Sequence, residues 1–339
     1  MVLVRQRRHQ EALKLPLPPP ASSPFPFHQQ RVPFPLPLVP SEPDSPSIEK
    51  LSDLEKLAVL GHGSSGIVYK VRHRRNLQIY ALKVVRFEQD NIAAGIRRQA
   101  DLEADILKQV NSQFIVRCYG VFDSCTEYSE ASDLCFLMEY MEGGSLQDLL
   151  KIRRRLPEAA ISDMARRVLE GLKYLHEMHI VHRDIKPSNL LINRKGEVKI
   201  ADFGVSCRDG CCDFSCAGTC AYMSPERFDP ERWNISGTIS DGFAGDIWAL
   251  GVALLECHAG HFPLIPADQK LDWATLMCAI CFCDAPEMPS TASAEFRSFI
   301  YQCLEKDWRR RGSVGELLSH PFVAKNKSSS TEQLIDEFL

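Results

Sequence analysis

Apolar and polar positions change their spacing twice along this chain. From Leu57 to Val85, β-branched and aromatic residues run in strand-like fashion, broken by a glycine loop and by Arg74-Arg75-Asn76, which predicts strands. Ile96 to Val110 predicts a helix, and Asp133 to Met141 a buried strand. After Gly143-Gly144 the spacing becomes helical. Ile161, Met164, Ala165, Val168, Leu172 and Leu175 recur on one face, with Arg166, Arg167 and Glu170 between them. Leu191-Ile192 and Val198-Lys199-Ile200 predict short strands about a turn at Gly196, and Ser319-His320-Pro321-Phe322 closes the last core helix. A small strand-rich part, 51–141, thus precedes a larger helix-rich part, 142–324, and the expected class is α+β. The two parts are flanked by segments of another character. Residues 1–50 are proline-dense from Leu15 to Ser47, which disfavours helix and sheet alike, so order is expected to begin near Leu51. Residues 325–339 form a polar tail.

Composition narrows the classes. A chain of 339 residues with 45% hydrophobic and 25% charged residues has an ordinary globular balance. The net charge of -4 disfavours a general nucleic-acid-binding role. No apolar run approaches the roughly 20 residues that cross a bilayer, and the N-terminal residues lack the apolar core of a signal peptide, so no membrane is expected. The 13 cysteines of an unsignalled chain are expected to be reduced thiols in the cytosol or nucleus.

Two stretches carry chemistry. His182-Arg183-Asp184-Ile185-Lys186-Pro187-Ser188-Asn189 puts a carboxylate, a lysine and an asparagine on one short loop, and Asp202-Phe203-Gly204 adds a second carboxylate. The set suits phosphoryl transfer. Asp184 would accept or orient a substrate hydroxyl, Lys186 would stabilise charge on the moving phosphoryl group, and Asn189 and Asp202 would hold magnesium through oxygen. His182 and Arg183 would organise the loop. Upstream, Leu60 precedes Gly61-His62-Gly63-Ser64-Ser65-Gly66-Ile67-Val68, a loop whose glycines let backbone amides approach phosphates. A dinucleotide-binding fold would place a helix directly after the glycines. Here Ile67 to Arg72 alternates like a strand, so the loop joins two strands.

Lys83, in Tyr80-Ala81-Leu82-Lys83, sits on an apolar strand and needs a partner for its charge. Phosphates plus Glu103 from the next helix would supply one. Asp105 is the rival carboxylate, and an edge-strand lysine reaching for water is the plainer alternative. Met138-Glu139-Tyr140-Met141 before Gly143-Gly144 reads as the joint between the two parts, where Glu139 and Met141 would offer backbone groups to an adenine.

Together these residues resemble the eukaryotic protein kinase family from about Leu54 to Val323, which implies a bilobal fold with a β-rich N-lobe and an α-helical C-lobe, ATP as substrate and Mg2+. Met223-Ser224-Pro225-Glu226, Asp246-Ile247-Trp248-Ala249-Leu250-Gly251 and Arg311 belong to the same resemblance, which implies a Glu226–Arg311 ion pair. The loop from His182 to Asn189 looks like the serine/threonine-directed form. Val205-Ser206 and the run from Gly218 to Arg227 narrow the resemblance to MAP kinase kinases, whose members phosphorylate a Thr and a Tyr of a MAP kinase.

Arg5, Arg7 and Arg8 followed by Leu13, Leu15 and Leu17 resemble the segment by which such enzymes hold that downstream MAP kinase, here over residues 5–17. An unstructured basic terminus is the alternative. Arm and catalytic segment look most like plant group D.

The chain departs from that family in its activation segment. The usual pair of hydroxyls, Ser/Thr-x5-Ser/Thr, becomes Asp209 and Ser215, as in the divergent tenth-member type. Ser215 is the expected target of an upstream kinase. A catalytically weak docking scaffold is the alternative function, although Lys83, Glu103, Asp184, Asn189 and Asp202 are all present. Cys207, Cys211, Cys212, Cys216 and Cys220 crowd the same segment without paired zinc spacing, and Cys278-x2-Cys281 has no evident mate. A redox-sensitive loop ranks above zinc here and below inert thiols.

Overall fold

The computed structural model describes residues 50–324, apart from 64–65, 88–90, 125–132, 209–217, 234–238, 267–268, 270–271 and 285. Strands β1 (Leu54–Gly63), β2 (Gly66–His73) and β3 (Ile79–Val85) precede helix α1 (Asn91–Gln109), and β4 (Cys118–Ser124) and β5 (Asp133–Glu139) follow it. The five strands make one antiparallel sheet in the order β1-β2-β3-β5-β4. β3 lies at its centre and is buried from Tyr80 to Val85, which explains its near-continuous apolar run. α1 begins five residues before the expected Ile96, because Gly95 reads as a break yet sits inside the helix. β4 was not foreseen: Cys-Tyr-Gly-Val-Phe-Asp-Ser has weak alternation and an irregular register between Cys118 and Gly120.

The remainder is helical. α2 (Leu146–Arg153) starts at a reciprocal cap in which Ser145 and Asp148 bond each other's backbone N–H. α3 (Glu158–Glu177) buries the face read from the sequence, including Ile161, Met164, Val168, Leu172 and Leu175. Short strands β6 (Ile180–Val181), β7 (Leu190–Ile192), β8 (Val198–Ile200) and β9 (Cys207–Arg208) pair as β6 with β9 and β7 with β8. Then come α4 (Pro225–Phe228), α5 (Ile239–Ala259), α6 (Trp273–Met277), α7 (Ala294–Cys303), α8 (Val314–Ser319) and α9 (Pro321–Ala324). The last core helix does stop at Ser319, but Pro321 opens one further turn that buries Phe322 and Val323. The larger core gathers α3, α5 and α7 around Trp248, Phe296 and Phe299, and a smaller one lies within the sheet around Val71, Tyr80 and Leu137. A five-stranded sheet followed by a helical body is the bilobal architecture expected. No helix among the described residues is long and apolar enough to cross a membrane.

Candidate active site

β3 fixes Lys83 between Val68 of β2 and Phe136 of β5, so the ammonium leaves an interior strand and not an edge. Lys83 Nζ lies 2.7 Å from Glu103 Oε1 and 2.8 Å from Asp202 Oδ1. Glu103 is buried on α1, whereas Asp105 points outward beside Lys108. One cation therefore faces two carboxylates. Burial works against the Lys83 charge, but Asp202 and Glu103 outweigh it and raise its pKa. Burial raises the Glu103 pKa, with the Asp202 charge adding to it. Burial acts on Asp202 in the same sense, but Lys83 outweighs it and holds that carboxyl below its ordinary value. Asp202 adopts a left-handed backbone, φ 64°, and its side chain stays 42% exposed.

Asp184 is buried and held from three sides. The Thr219 N–H donates to its Oδ1 (2.9 Å), Asn189 Nδ2 donates to its Oδ2 (2.9 Å), and Lys186 Nζ lies 2.7 Å from the same oxygen. Lys186 Nζ also donates to Thr219 Oγ1 at 2.5 Å, tying the loop to the end of the activation segment. That contact needs Gly218, at φ 104°, since a Cβ there would stand 2.6 Å from the Arg183 carbonyl. Beneath the loop, the Asp184 N–H donates to His182 Nδ1 (3.3 Å), so the imidazole proton belongs on Nε2, which donates to the Ala201 carbonyl (3.1 Å).

Asp246 of α5 accepts the backbone N–H groups of His182 (3.0 Å) and Arg183 (2.8 Å) and meets His176 Nε2 (3.0 Å). Burial opposes its charge, but the hydrogen bond and charge of His176 outweigh burial and lower its pKa. Asp246 and Thr219 both stand in motifs quoted from the sequence, but the motifs do not reveal either anchoring role. Neither contact leaves a periodic trace, because each closes across more than thirty residues.

A cavity of about 470 Å³ opens between sheet and helices. Leu60, Gly61, Gly66, Val68, Lys83, Glu103, Glu139, Met141, Asn189 and Asp202 line it, as read from the sequence. Asp184 instead borders a smaller adjoining cavity with Glu103 and Asp202. His62, Ile67 and Lys186 do not line the main cavity; strand alternation turns Val68 inward and therefore Ile67 outward. Ser64 and Ser65 lie outside the described residues, as do Arg5, Arg7, Arg8, Leu13, Leu15, Asp209 and Ser215. The Glu139 carboxylate is held by Lys199 at 2.7 and 2.9 Å, which occupies it with a cation of the protein itself. Ala81, Met138, Ser188 and Leu191 line it unannounced, though Ala81 and Leu191 each stand two residues from a named strand or loop position and could have been found by alternation.

Arg311 receives Glu226 on both guanidinium arms (2.8 and 2.9 Å), and its remaining N–H groups reach the carbonyls of Glu305, Ala244 and Lys306. The ion pair implied by resemblance is present, with every donor matched. For a divalent ion, Asn189 and Asp202 offer hard oxygen ligands: the Asn189 amide nitrogen is turned to Asp184, which leaves its oxygen as the ligand atom. Among the described residues no group of three or more His, Cys, Asp or Glu side chains could hold a metal ion. Against the expectation of reduced thiols throughout, Cys207 is disulfide-bonded, in the stretch where cysteines crowd the sequence, while Cys118, Cys135, Cys257, Cys278, Cys281, Cys283 and Cys303 are free thiols.

The protein kinase domain family matches residues 54–323. Mitogen-activated protein kinase kinase 10 of Arabidopsis thaliana is 51% identical over 327 residues, covering 96% of this chain and 100% of that protein. Mitogen-activated protein kinase kinases 9 and 7 of the same plant are each 46% identical, over 96% of this chain and their own full lengths. Agreement of this extent spans the flanks as well as the catalytic body, and it establishes the lineage: this chain belongs to the protein kinase family and, within it, to the MAP kinase kinases.

Proposed function

We propose that the chain transfers the γ-phosphoryl group of ATP to the Thr and Tyr of a MAP kinase activation loop. One observation carries this reading: Lys83, Glu103 and Asp202 meet at one end of the cleft while Asp184, Lys186 and Thr219 form a second hydrogen-bonded cluster beside it. The first cluster suits phosphate binding. Its lysine is held in place before any ligand arrives, so little reorganisation remains at the moment of transfer. The backbone of Gly61 and Gly66 would cover the phosphates, and the hinge backbone at Glu139 and Met141 would take the adenine. Among the described residues no partner takes the Met141 N–H.

Asp184 orients the acceptor hydroxyl and receives its proton, and Lys186 sits one hydrogen bond away to offset charge on the phosphoryl oxygens. Mg2+, held by Asn189 and Asp202, would neutralise developing phosphate charge when bound. We assign residues 51–141 and 142–324 to the two lobes, the arm at 5–17 to MAP kinase docking, Ser215 to an upstream kinase, and the protein to the cytosol and nucleus.

The experiment is to incubate the purified chain with ATP, Mg2+ and an inactive MAP kinase and to map the new phosphates. Phosphate on both the Thr and the Tyr is the expected result. Binding of the MAP kinase with no transfer by the folded protein would overturn this reading in favour of a docking scaffold.

A further inference from the structure

A basic step lies on the helical body where α2 ends and α3 has yet to begin. Lys151, Ile152, Arg154 and Arg155 are all exposed there, and Ile152 is 65% exposed despite being apolar. Lys151 leans on Asp148 at 2.8 Å, but among the described residues neither Arg154 nor Arg155 meets a carboxylate. Arg154 holds a left-handed backbone, φ 61°, and the step is pinned from below by the Leu156 N–H on the Cys257 carbonyl. The result is a basic patch around one apolar side chain, in which Lys151 is paired and Arg154 and Arg155 meet no carboxylate among the described residues.

The chain itself carries a complement. Residues 332–339 read Glu-Gln-Leu-Ile-Asp-Glu-Phe-Leu. At helical spacing Leu334, Ile335, Phe338 and Leu339 share one face, with Glu332, Asp336 and Glu337 off it. A segment of this length cannot hold a helix alone in water, so its pattern calls for a surface.

Geometry puts that surface within reach. The Phe322 carbonyl accepts from Ser162 Oγ at 2.7 Å, so α9 ends against the first turns of α3. Ser162 stands one turn, about 6 Å, from Glu158, and Arg155 is three residues further, about 10 Å at full extension. Phe322 thus lies within roughly 20–25 Å of Arg155. The connector 325–331 can extend to about 23 Å, and a random chain of that length would span about 13–16 Å on average. A tether long enough to reach the patch makes the contact intramolecular and raises the effective concentration of the segment there.

We propose that residues 332–339 dock in cis on the step formed by Lys151, Ile152, Arg154 and Arg155, with Asp336 and Glu337 meeting the two arginines and the leucine-phenylalanine face covering Ile152. The docked segment would brace α2, whose first turn places Asp148 in the wall of the nucleotide cavity.

The test is amide hydrogen exchange on the full chain, following peptides that cover 151–157 and 332–339. Four proteins are compared: wild type, Asp336→Lys with Glu337→Lys, Arg154→Glu with Arg155→Glu, and the combination of all four changes. We expect both peptides to exchange several-fold faster in each reversed pair and to regain protection in the combination. All changed positions are exposed or in the tail, and an unchanged melting temperature will show that the body is intact. Equal exchange in all four proteins would overturn the proposal. Protection that grows with protein concentration would overturn it in favour of a second copy, and protection seen only after a MAP kinase is added would overturn it in favour of that partner.

Discussion

At the scale of single residues, the site is an arrangement of charges that are held before they are used. Lys83 is fixed by Glu103 and Asp202, and Asp184 by Thr219, Asn189 and Lys186. We expect Lys83→Met and Asp184→Ala each to lower kcat by about 10²–10³ while the melting temperature changes little, measured with a MAP kinase substrate. Near wild-type turnover in either folded variant would remove these residues from the chemistry. The carboxylates also set a pH dependence. Glu103 has a raised pKa, so on acidification it takes up a proton before Asp202, whose pKa is lowered. A raised carboxyl binds its proton more tightly in the fold than in the unfolded chain, so protonating Glu103 does not itself unfold the protein, whereas it does weaken the hold on Lys83. Asp246, lowered in the fold, contributes stability above the ordinary carboxylate range that is lost as pH falls through its folded value. We therefore expect activity to decline at a higher pH than the fold does, measured as kcat/KM beside thermal melts; coincident declines would contradict this. Lys83 and Glu103 were legible because a lysine in an apolar strand requires a carboxylate, and a helix offers few. Asp246 and Thr219 were not, because their task is to hold the backbone and side chain of a distant loop.

At the scale of elements, the catalytic loop is only as fixed as the helix beneath it. α5 brings Asp246 to the loop, Ala244 to Arg311 and Glu256 to Tyr222, whose hydroxyl donates to it at 2.5 Å. Its apolar residues from Ile247 to Leu255 are buried on nearly every side, so it shows no helical period, and a reading built on amphipathic spacing passes over it. The amphipathic α3 was plain for the opposite reason, and β3 was plain because a strand buried on both faces is apolar throughout. Where α5 crosses α7, the helices approach so closely that a Cβ on Gly251 would lie 2.6 Å from the Cβ of Cys303 and 3.0 Å from Leu304. Neither helix can shift freely, since α5 also carries the loop anchor. We expect Gly251→Ala to destabilise the protein by about 1–3 kcal/mol through overpacking, read as a lower midpoint in urea with an unchanged slope. Because the strain is next to the Asp246 helix, turnover should fall with it. A neutral Gly251→Ala would show that the two helices can part at no cost to the loop.

At the scale of the whole molecule, our proposal divides the work between the catalytic body, which does the chemistry, and the N-terminal arm, which would choose the partner. Sequence made the body legible from its motifs, and it made the arm legible only as a pattern of charge and alternating leucines. If Arg5, Arg7 and Arg8 meet an acidic patch and Leu13 and Leu15 enter pockets, the arm raises local substrate concentration without touching the transfer step. Changing the arginines to Glu or the leucines to Ala should then weaken phosphorylation of an intact MAP kinase and spare a generic substrate. Equal losses on both would mean that the arm supports the fold instead. Activation is the remaining property that belongs to no single element. The segment that ends at Gly218 and Thr219 must be ordered for Thr219 to hold Asp184 and Lys186, and a phosphate would order it by adding charge opposite arginines such as Arg183. A phosphate carries about -1.5 to -2 charge at pH 7, so Asp209 supplies at most part of what a second phosphosite would. We expect measurable basal activity, a rise on Ser215→Asp, no activation by an upstream kinase in Ser215→Ala, and a lower basal rate in Asp209→Ala. The comparison is initial rates of the four proteins on one MAP kinase. Identical rates would separate catalytic output from this segment's charge and leave partner docking as the step that governs it.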